Sequence, residues 1–270
     1  MITEPRIAAL MVIYNEKIAN AKSYQSLLKS LPPKDVLIYD NSPTAQDCPD
    51  GFHYVHNKLN PGVSTAYNYA AYWAEENHYT HLLLLDSDSI FPEEAMQKYI
   101  NAATHHPEHL ILAEVIASGK VISPFWFKWG KSWYGDDIPN GKLSFDNKAA
   151  INSAMLIPIS QFKKSGGYDE KIPLDWSDIA FCRKLSRLKI AAQKIPLRVS
   201  HDLSESGMSS FESAKFRFKT YMIGVKRMPT KHILEDFLIL SWAKFKAFKL
   251  CLRYKSLWFL VHYLRKLFYA

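Results

Sequence analysis

Short apolar runs, each ending in a cluster of acids and amides, recur through the first third of the chain. Ile7–Tyr14 (IAALMVIY) ends at Asn15-Glu16, Val36–Tyr39 (VLIY) at Asp40-Asn41-Ser42, and His81–Leu85 (HLLLL) at Asp86-Ser87-Asp88. Runs this short, without polar alternation, predict strands buried on both faces. Phe52–His56 reads as a weaker strand. Ala21, Tyr24, Leu27, Leu28 and Leu31 share one side of a helix over 18–30, which Pro32-Pro33 stops. A second helix is expected over 63–77 after Asn60-Pro61-Gly62, and a third from Pro92, a position proline tolerates. Strands alternating with helices predict an α/β chain: a Rossmann-like, mostly parallel central sheet flanked by helices. Such sheets bind ligands beyond the carboxyl ends of their strands, where these polar clusters stand.

Further along, residues 110–158 read as several shorter strands, with an aromatic stretch at Ser123–Gly135 (SPFWFKWGKSWYG). A helix over 177–189 follows Asp175-Trp176-Ser177-Asp178. Ala191–Val199 reads as a strand ending at Ser200-His201-Asp202, and residues 209–227 and 231–270 as helices. Charge divides the chain unevenly. Residues 1–214 hold 21 Lys+Arg against 24 Asp+Glu, whereas residues 215–270 hold 13 Lys+Arg against only Glu235 and Asp236. The balances of −3 and +11 give the net +8 and mark the tail as the part that meets an anionic partner. With 48% apolar and 22% charged residues, wholesale disorder is excluded. Cys48, Cys182 and Cys251 lie too far apart for a metal knuckle, and their odd number excludes a disulfide framework, which suits a reducing compartment. The start MITEPRIAAL has no basic, then apolar, secretory pattern. No run reaches the roughly 18 apolar residues of a spanning helix.

Several of these clusters have two readings. Asp86 and Asp88 form an oxygen cluster of the kind Mg²⁺ or Mn²⁺ prefers, or they cap the next helix. Asp40 either accepts a hydrogen bond from a nucleobase ring N–H or shapes the turn before Pro43. Asn60-Pro61-Gly62 either opens a helix or lets backbone N–H groups approach a diphosphate. In the Asp175-Trp176-Ser177-Asp178 stretch, a carboxylate is a candidate general base, and Trp176 either stacks on a sugar or fills the core. His201 is a candidate metal ligand or a structural histidine.

Taken in order, the motifs IYNE, VLIYDNS, NPGVSTAYN, LLLLDSDSIFP, INSAMLI and GGYDEKIPLDWSDIAFC, then a strand and SHDLSESG, resemble the family 2 glycosyltransferases. The resemblance spans about residues 7–207 and is nearest to the bacterial rhamnosyltransferase-like branch. It implies the GT-A fold, with a catalytic domain over 1–208 (a nucleotide-binding half to about 105, an acceptor-binding half over 106–208) and a C-terminal helical appendage over 209–270. It implies that Tyr14, Glu16 and Asp40 contact the base and ribose, with Asn60 and Gly62 at the diphosphate. Asp86 and Asp88 match the family's DxD, which holds the diphosphate through Mg²⁺ or Mn²⁺, and His201 matches a histidine that completes the metal shell in some members. Asp178 matches the catalytic base, with Asp175 in support, and Ser153 and Trp176 fall beside the sugars. The implied activity is inverting transfer from a nucleoside-diphosphate sugar to a glycan or lipid-linked acceptor, in bacterial surface polysaccharide synthesis.

The chain departs from the family pattern in three places. Ser153 is followed by Ala154 where Gly is usual, and the methyl is expected to crowd the donor pocket. Ala180 replaces a common Glu, and the usual Arg falls on Lys184 or Arg183. Trp242, Phe245, Phe248 and Leu252 recur at helical spacing among Lys244, Lys246, Lys249, Arg253 and Lys255. That pattern predicts helices lying on an anionic membrane, the alternative being a cap on the body or a homodimer contact. The cell-side expectation is a cytoplasmic enzyme, peripheral on the inner face of the membrane. No nucleic-acid partner is expected, because the acidic body repels phosphates. Two rivals remain: a non-catalytic, membrane-attached nucleotide-sugar binding module, and a sugar-1-phosphate nucleotidyltransferase. The latter needs a glycine-rich loop that IYNEKIANAK lacks.

Overall fold

The structure, a computed structural model, describes residues 4–27, 31–135, 138–201, 210–230 and 232–268. Residues 28–30 of the first predicted helix, Asp202, the boundary drawn at 208–209 and Lys231 lie outside them. The strands are β1 (Ile7–Ile13), β2 (Val36–Asp40), β3 (His53–His56), β4 (His81–Asp86), β5 (Ser89–Ile90), β6 (Leu110–Ala117), β7 (Lys120–Ser123), β8 (Phe125–Lys128), β9 (Lys131–Trp133), β10 (Gly141–Leu143), β11 (Lys148–Ala149), β12 (Met155–Pro158) and β13 (Ala192–His201). The α-helices are α1 (Lys22–Leu27), α2 (Val63–Glu76), α3 (Ala95–His105), α4 (Ile159–Ser165), α5 (Ser177–Arg187), α6 (Phe211–Arg227), α7 (Ile233–Tyr254) and α8 (Trp258–Phe268).

One sheet runs in the order β10-β13-β6-β12-β4-β1-β2-β3. Strands β3, β2, β1, β4, β6 and β13 all point the same way, with β12 antiparallel between β4 and β6. The carboxyl ends of β1, β2 and β4 therefore share one edge of the sheet, as the sequence predicts. Alternation along β1 divides the core: Ala8 and Leu10 face one layer, and Ile7, Ala9 and Met11 the other. Helices α1 and α3 cover the second layer, and α2, α4 and α5 the first.

The C-terminal helices are present as expected, and they join the first layer. Phe218 and Met222 of α6, Ile239, Ala243 and Ala247 of α7, and Phe259 of α8 are buried in the same cluster as α2. Two shorter elements differ from expectation. The first predicted helix is broken into a 3-10 turn (Ile18–Asn20) and α1, because Ala21 between them is extended. Helix α3 begins at Ala95, after a turn in which its N–H reaches Pro92. No helix among the described residues is long and apolar enough to cross a membrane.

Candidate active site

A cleft of about 780 Å³ opens at the carboxyl edge of the sheet, within the range of small-molecule sites. It is lined by Tyr14 after β1, Asn41 after β2, Asn60 and Gly62 before α2, Asp86–Asp88 after β4, and Pro173-Leu174. Its remaining wall is one side of α6: Glu212, Ser213, Phe216, Arg217 and Thr220. A separate cavity of about 630 Å³, lined by His81, Glu108 and Lys163 among others, holds none of the predicted residues.

Strand pairing assembles the candidate metal site. Short β5 runs antiparallel to the end of β13 and sets Ser89 opposite His201. That register carries a histidine more than a hundred positions away onto the Asp86–Asp88 turn. One ligand atom from each of Asp86, Asp88 and His201 lies within 4.8 Å of the others, the only such cluster among the described residues. His201 Nδ1 is 3.3 Å from Asp88 Oδ1 and 3.0 Å from Ser89 Oγ. Two carboxylates and an imidazole match the donor set of Mn²⁺ and, with fewer protein ligands, of Mg²⁺. Burial pushes the Asp86 carboxyl up to about 6; Asp88 adds to the shift and His201 opposes it. A cation placed there relieves that repulsion.

Ser153 supports this turn from beneath. Its hydroxyl accepts from the Asp86 N–H at 3.2 Å and pairs with Ser89 Oγ at 2.7 Å, and the residue is buried. Ser153 therefore shapes the acidic turn and does not line the cleft. The expected crowding by Ala154 is absent. Ala154 adopts a left-handed conformation (φ 63°), which is where glycine is the easier residue. Its methyl lies in the core layer under α3, away from the cleft.

Asp178 stands in the first turn of α5. Burial drives its carboxyl up to about 6; Asp175 and Asp86 add to this, while the Ile179 N–H, donating at 2.7 Å, opposes it. Asp175 is held differently. It accepts from Arg217 Nη2 at 2.9 Å and faces Thr220 Oγ1 at 3.5 Å, both on α6. Asp175 is tied to α6, while Asp178 is half-buried behind the cleft lining with its carboxyl raised. Trp176, between them, is left-handed (φ 76°) and packs against Phe127 and Tyr221. Its place is under α6, where a Cβ at Gly224 would fall 2.6 Å from its Cδ1. Beneath both carboxylates lies a buried polar layer. The Tyr168 hydroxyl donates to Asn152 Oδ1 at 2.8 Å, and Asn152 Nδ2 donates to Ser177 Oγ at 3.2 Å. Tyr67 sits close enough to Asp86 and Asp178 that both reinforce the upward shift burial gives its hydroxyl.

On the nucleotide side the predicted residues divide. Tyr14 is exposed in the cleft, whose lining also includes half-buried Asn60 and buried Gly62. Gly62 is required by packing: a Cβ would lie 2.2 Å from the Pro173 carbonyl, which already accepts the Val63 N–H at 2.8 Å. That N–H is therefore committed to the protein. Glu16 is outside the cleft lining, its backbone carbonyl accepting from Gln46. Asp40 is fully buried, its oxygens taken by the Ser42 N–H (2.8 Å), the Tyr54 hydroxyl (2.8 Å) and Gln46 Nε2 (3.1 Å). Burial opposes its ionisation, but these hydrogen bonds outweigh it and hold the carboxyl below its ordinary value. Asp40 thus fixes the loop, and its neighbour Asn41 lines the cleft. Asn41 is buried, with Oδ1 lacking any partner among the described residues. Sequence reasoning chose the acid of that triplet and passed over the amide. It also missed the cleft wall on α6, although 213, 216, 217 and 220 have the spacing of one helix face.

Comparison with known proteins fits this geometry. Residues 9–163, more than half of the chain, match the family model "Glycosyl transferase family 2". No curated protein matches the sequence. Among solved structures, GalNAc-T7 with UDP, GalNAc and Mn²⁺ is similar at a TM-score of 0.64 and 13% identity, over 95% of this chain and 56% of that one. S. aureus TarS 1–349 with UDP is similar at a TM-score of 0.52 and 12% identity, over 88% of this chain and 71% of that one. The chain spans little more than half the length of the GalNAc-T7 chain, and at these identities the likeness is one of fold. By its family match and its architecture, the chain belongs to glycosyltransferase family 2 and has the GT-A fold.

Proposed function

We propose that the protein is an inverting glycosyltransferase that moves a hexose, rhamnose among the candidates, from a nucleoside diphosphate to an acceptor hydroxyl. The observation that carries this is the pairing of an acidic turn with a separate carboxylate of raised pKa. Asp86, Asp88 and His201 would hold a divalent ion, Mg²⁺ or Mn²⁺, which when bound neutralises charge on the leaving diphosphate. Asp178 takes the proton from the acceptor hydroxyl, whose oxygen then bonds to the anomeric carbon as the bond to the diphosphate breaks. The orphan Oδ1 of Asn41 accepts a ring N–H of the nucleobase, and Tyr14 packs on the nucleoside. UDP is the first nucleotide to test, since the GalNAc-T7 and TarS structures contain it. The acceptor is a glycan or a lipid-linked sugar of a bacterial surface polysaccharide. The basic C-terminal helices place the enzyme on the cytoplasmic face of a membrane.

Calorimetry with UDP, with and without Mn²⁺, tests the assignment. UDP should bind tightly only with metal, and Asp88→Asn and His201→Ala should each weaken that binding strongly while the fold persists. Equal UDP affinity in both variants and the parent would remove the metal site. Hydrolysis of a panel of UDP-, GDP- and dTDP-sugars then separates a transferase from a binding module.

A further inference from the structure

The aromatic stretch of the acceptor half forms a surface, and α7 continues it. In the small sheet β11-β8-β9, Phe125 and Phe127 point inward, while Trp126 and Trp133 stand opposite each other on the outer face. Lys148 pairs with Trp126, Lys128 pairs with Lys131, and Trp129 is exposed at the hairpin tip. The tip rests on α7, where a Cβ at Gly130 would fall 2.3 Å from Ile239. Lys131 Nζ lies 5.5 Å from the ring centres of both Trp133 and Trp242, bridging the hairpin to the helix. Trp129 and Leu234 line one shallow cavity between them.

Helix α7 itself has two apolar sides. Glu235, Ile239, Ala243, Ala247 and Cys251 are buried against the body. Leu234, Phe237, Phe245, Phe248 and Leu252 are exposed on the opposite side. At 100° per residue, Lys244 flanks that outer stripe on one edge, and Lys249 and Arg253 on the other. Isolated exposed apolar residues need no explanation, but a contiguous patch does.

We infer that the β8–β9 hairpin and the outer face of α7 form one contact for an anionic lipid surface. This rests on the transferase reading only for its purpose, since it extends the membrane contact from the tail into the catalytic body. The occupant follows from charge and residue type. Lysines rim an indole- and phenylalanine-rich surface, where Glu235 is buried against Arg183 and Asp236 is the exposed acid at the start of α7, and tryptophan favours the membrane–water interface. The hairpin ends at Tyr134, whose raised hydroxyl pKa reflects Asp178 nearby as well as burial.

Full-length protein tests this on phosphatidylglycerol-containing vesicles, with phosphatidylcholine vesicles as control. Of seven tryptophans, four (Trp126, Trp129, Trp133 and Trp242) lie on this face, so brominated lipid should quench a large part of the intrinsic fluorescence. The exposed-site variant Lys128→Glu/Lys131→Glu should weaken binding to anionic vesicles at least about thirtyfold, leaving UDP binding unchanged. Trp129→Phe should reduce the quenchable fraction. Parent-like vesicle binding by the charge-reversed variant would overturn the proposal. So would fluorescence that brominated lipid leaves untouched, or a stable dimer that Trp126→Ser/Trp133→Ser dissolves. Vesicle binding without any UDP binding would leave this face standing and remove the transferase reading instead.

Discussion

The nucleotide side of the molecule and its C-terminal helices do different work with different visibility. In the first, each strand of β1, β2 and β4 ends in its own polar cluster, and parallel order brings the clusters to one edge. Position in sequence therefore gives position in space. In the second, the important residues act by pairing with remote partners: Arg217 with Asp175, Gly224 against Trp176, Glu235 with Arg183. The lesson is that a segment can look like an appendage in composition while holding the Asp175–Asp178 stretch in place.

Truncation after residue 230 is the strongest way to break the comparison. It would strip Glu235 from Arg183, both side chains nearly fully buried, and uncover the layer that Ile239 and Ala243 seal. Uncompensated buried charge typically costs about 3–5 kcal/mol, so the truncated chain should lose cooperative unfolding, and Glu235→Ala alone should lose about that much in urea titration. A paired Arg183→Met/Glu235→Leu replacement should recover most of it. A truncated body that unfolds cooperatively and binds UDP would restore the simple appendage.

The next largest effect is on turnover. Asp178→Asn keeps the shape and removes the proton acceptor, so transfer should fall by roughly 10²–10⁴ with UDP affinity unchanged. The acid limb of the parent's rate profile should lie near pH 6, activity falling as Asp178 protonates. The same shift has a stability consequence of opposite sense. With a folded pKa of about 6 against 3.8 unfolded, the unfolded chain ionises first. Stability therefore falls as pH rises through that window and stays lower above it. Asp178→Asn should then be more stable than the parent at pH 7, by about 1–2 kcal/mol after allowance for residual solvent contact. A less stable, fully active variant would move the base to Asp175.

These effects show what the sequence made legible. Unbroken apolar runs marked the strands of the sheet, and Asp86, Asp88 and Asp178 stood out as candidates because each adjoins an element boundary. His201 had two readings until the resemblance favoured the metal, while what brings it to the acidic turn is the β5–β13 register, a long-range pairing that no local pattern encodes. Asp40 was preferred to Asn41 because charge looks more functional than an amide. In the structure the carboxylate's oxygens accept from Ser42, Gln46 and Tyr54, and it is the amide that lines the cleft. The left-handed backbone at Ala154 was invisible as well, so a methyl pointing into the core was read as one pointing into the cleft.

A smaller change sharpens the role of α6. Gly224 lies against the Asp175 carbonyl and Trp176, each 2.6 Å from where a Cβ would stand. Gly224→Ala gains helix propensity but overpacks that contact, with a net cost of about 1–3 kcal/mol. Because the displaced Asp175 and Trp176 lie three and two residues before Asp178, kcat should fall while the KM for donor changes little. Parent-like kcat in a destabilised variant would make α6 a cover and not a positioning element.

Arg217→Ala should have the smallest effect on stability and the most informative effect on mechanism. Its guanidinium is largely exposed, so losing the Asp175 pair should cost no more than about 1 kcal/mol. Asp175 would then carry an unpaired charge near Asp178, and a neighbouring negative charge raises a carboxyl pKa. The acid limb of the rate profile should move to higher pH, and raising the pH should restore most of the activity. Arg217 also lines the cleft beside Asp86 and Asp88, which gives the experiment its second arm. If activity drops at every pH and UDP binding weakens, Arg217 works on the donor diphosphate. The tie between α6 and Asp175 is then a resting contact, and the C-terminal helices belong to the donor site as fully as the strand ends do.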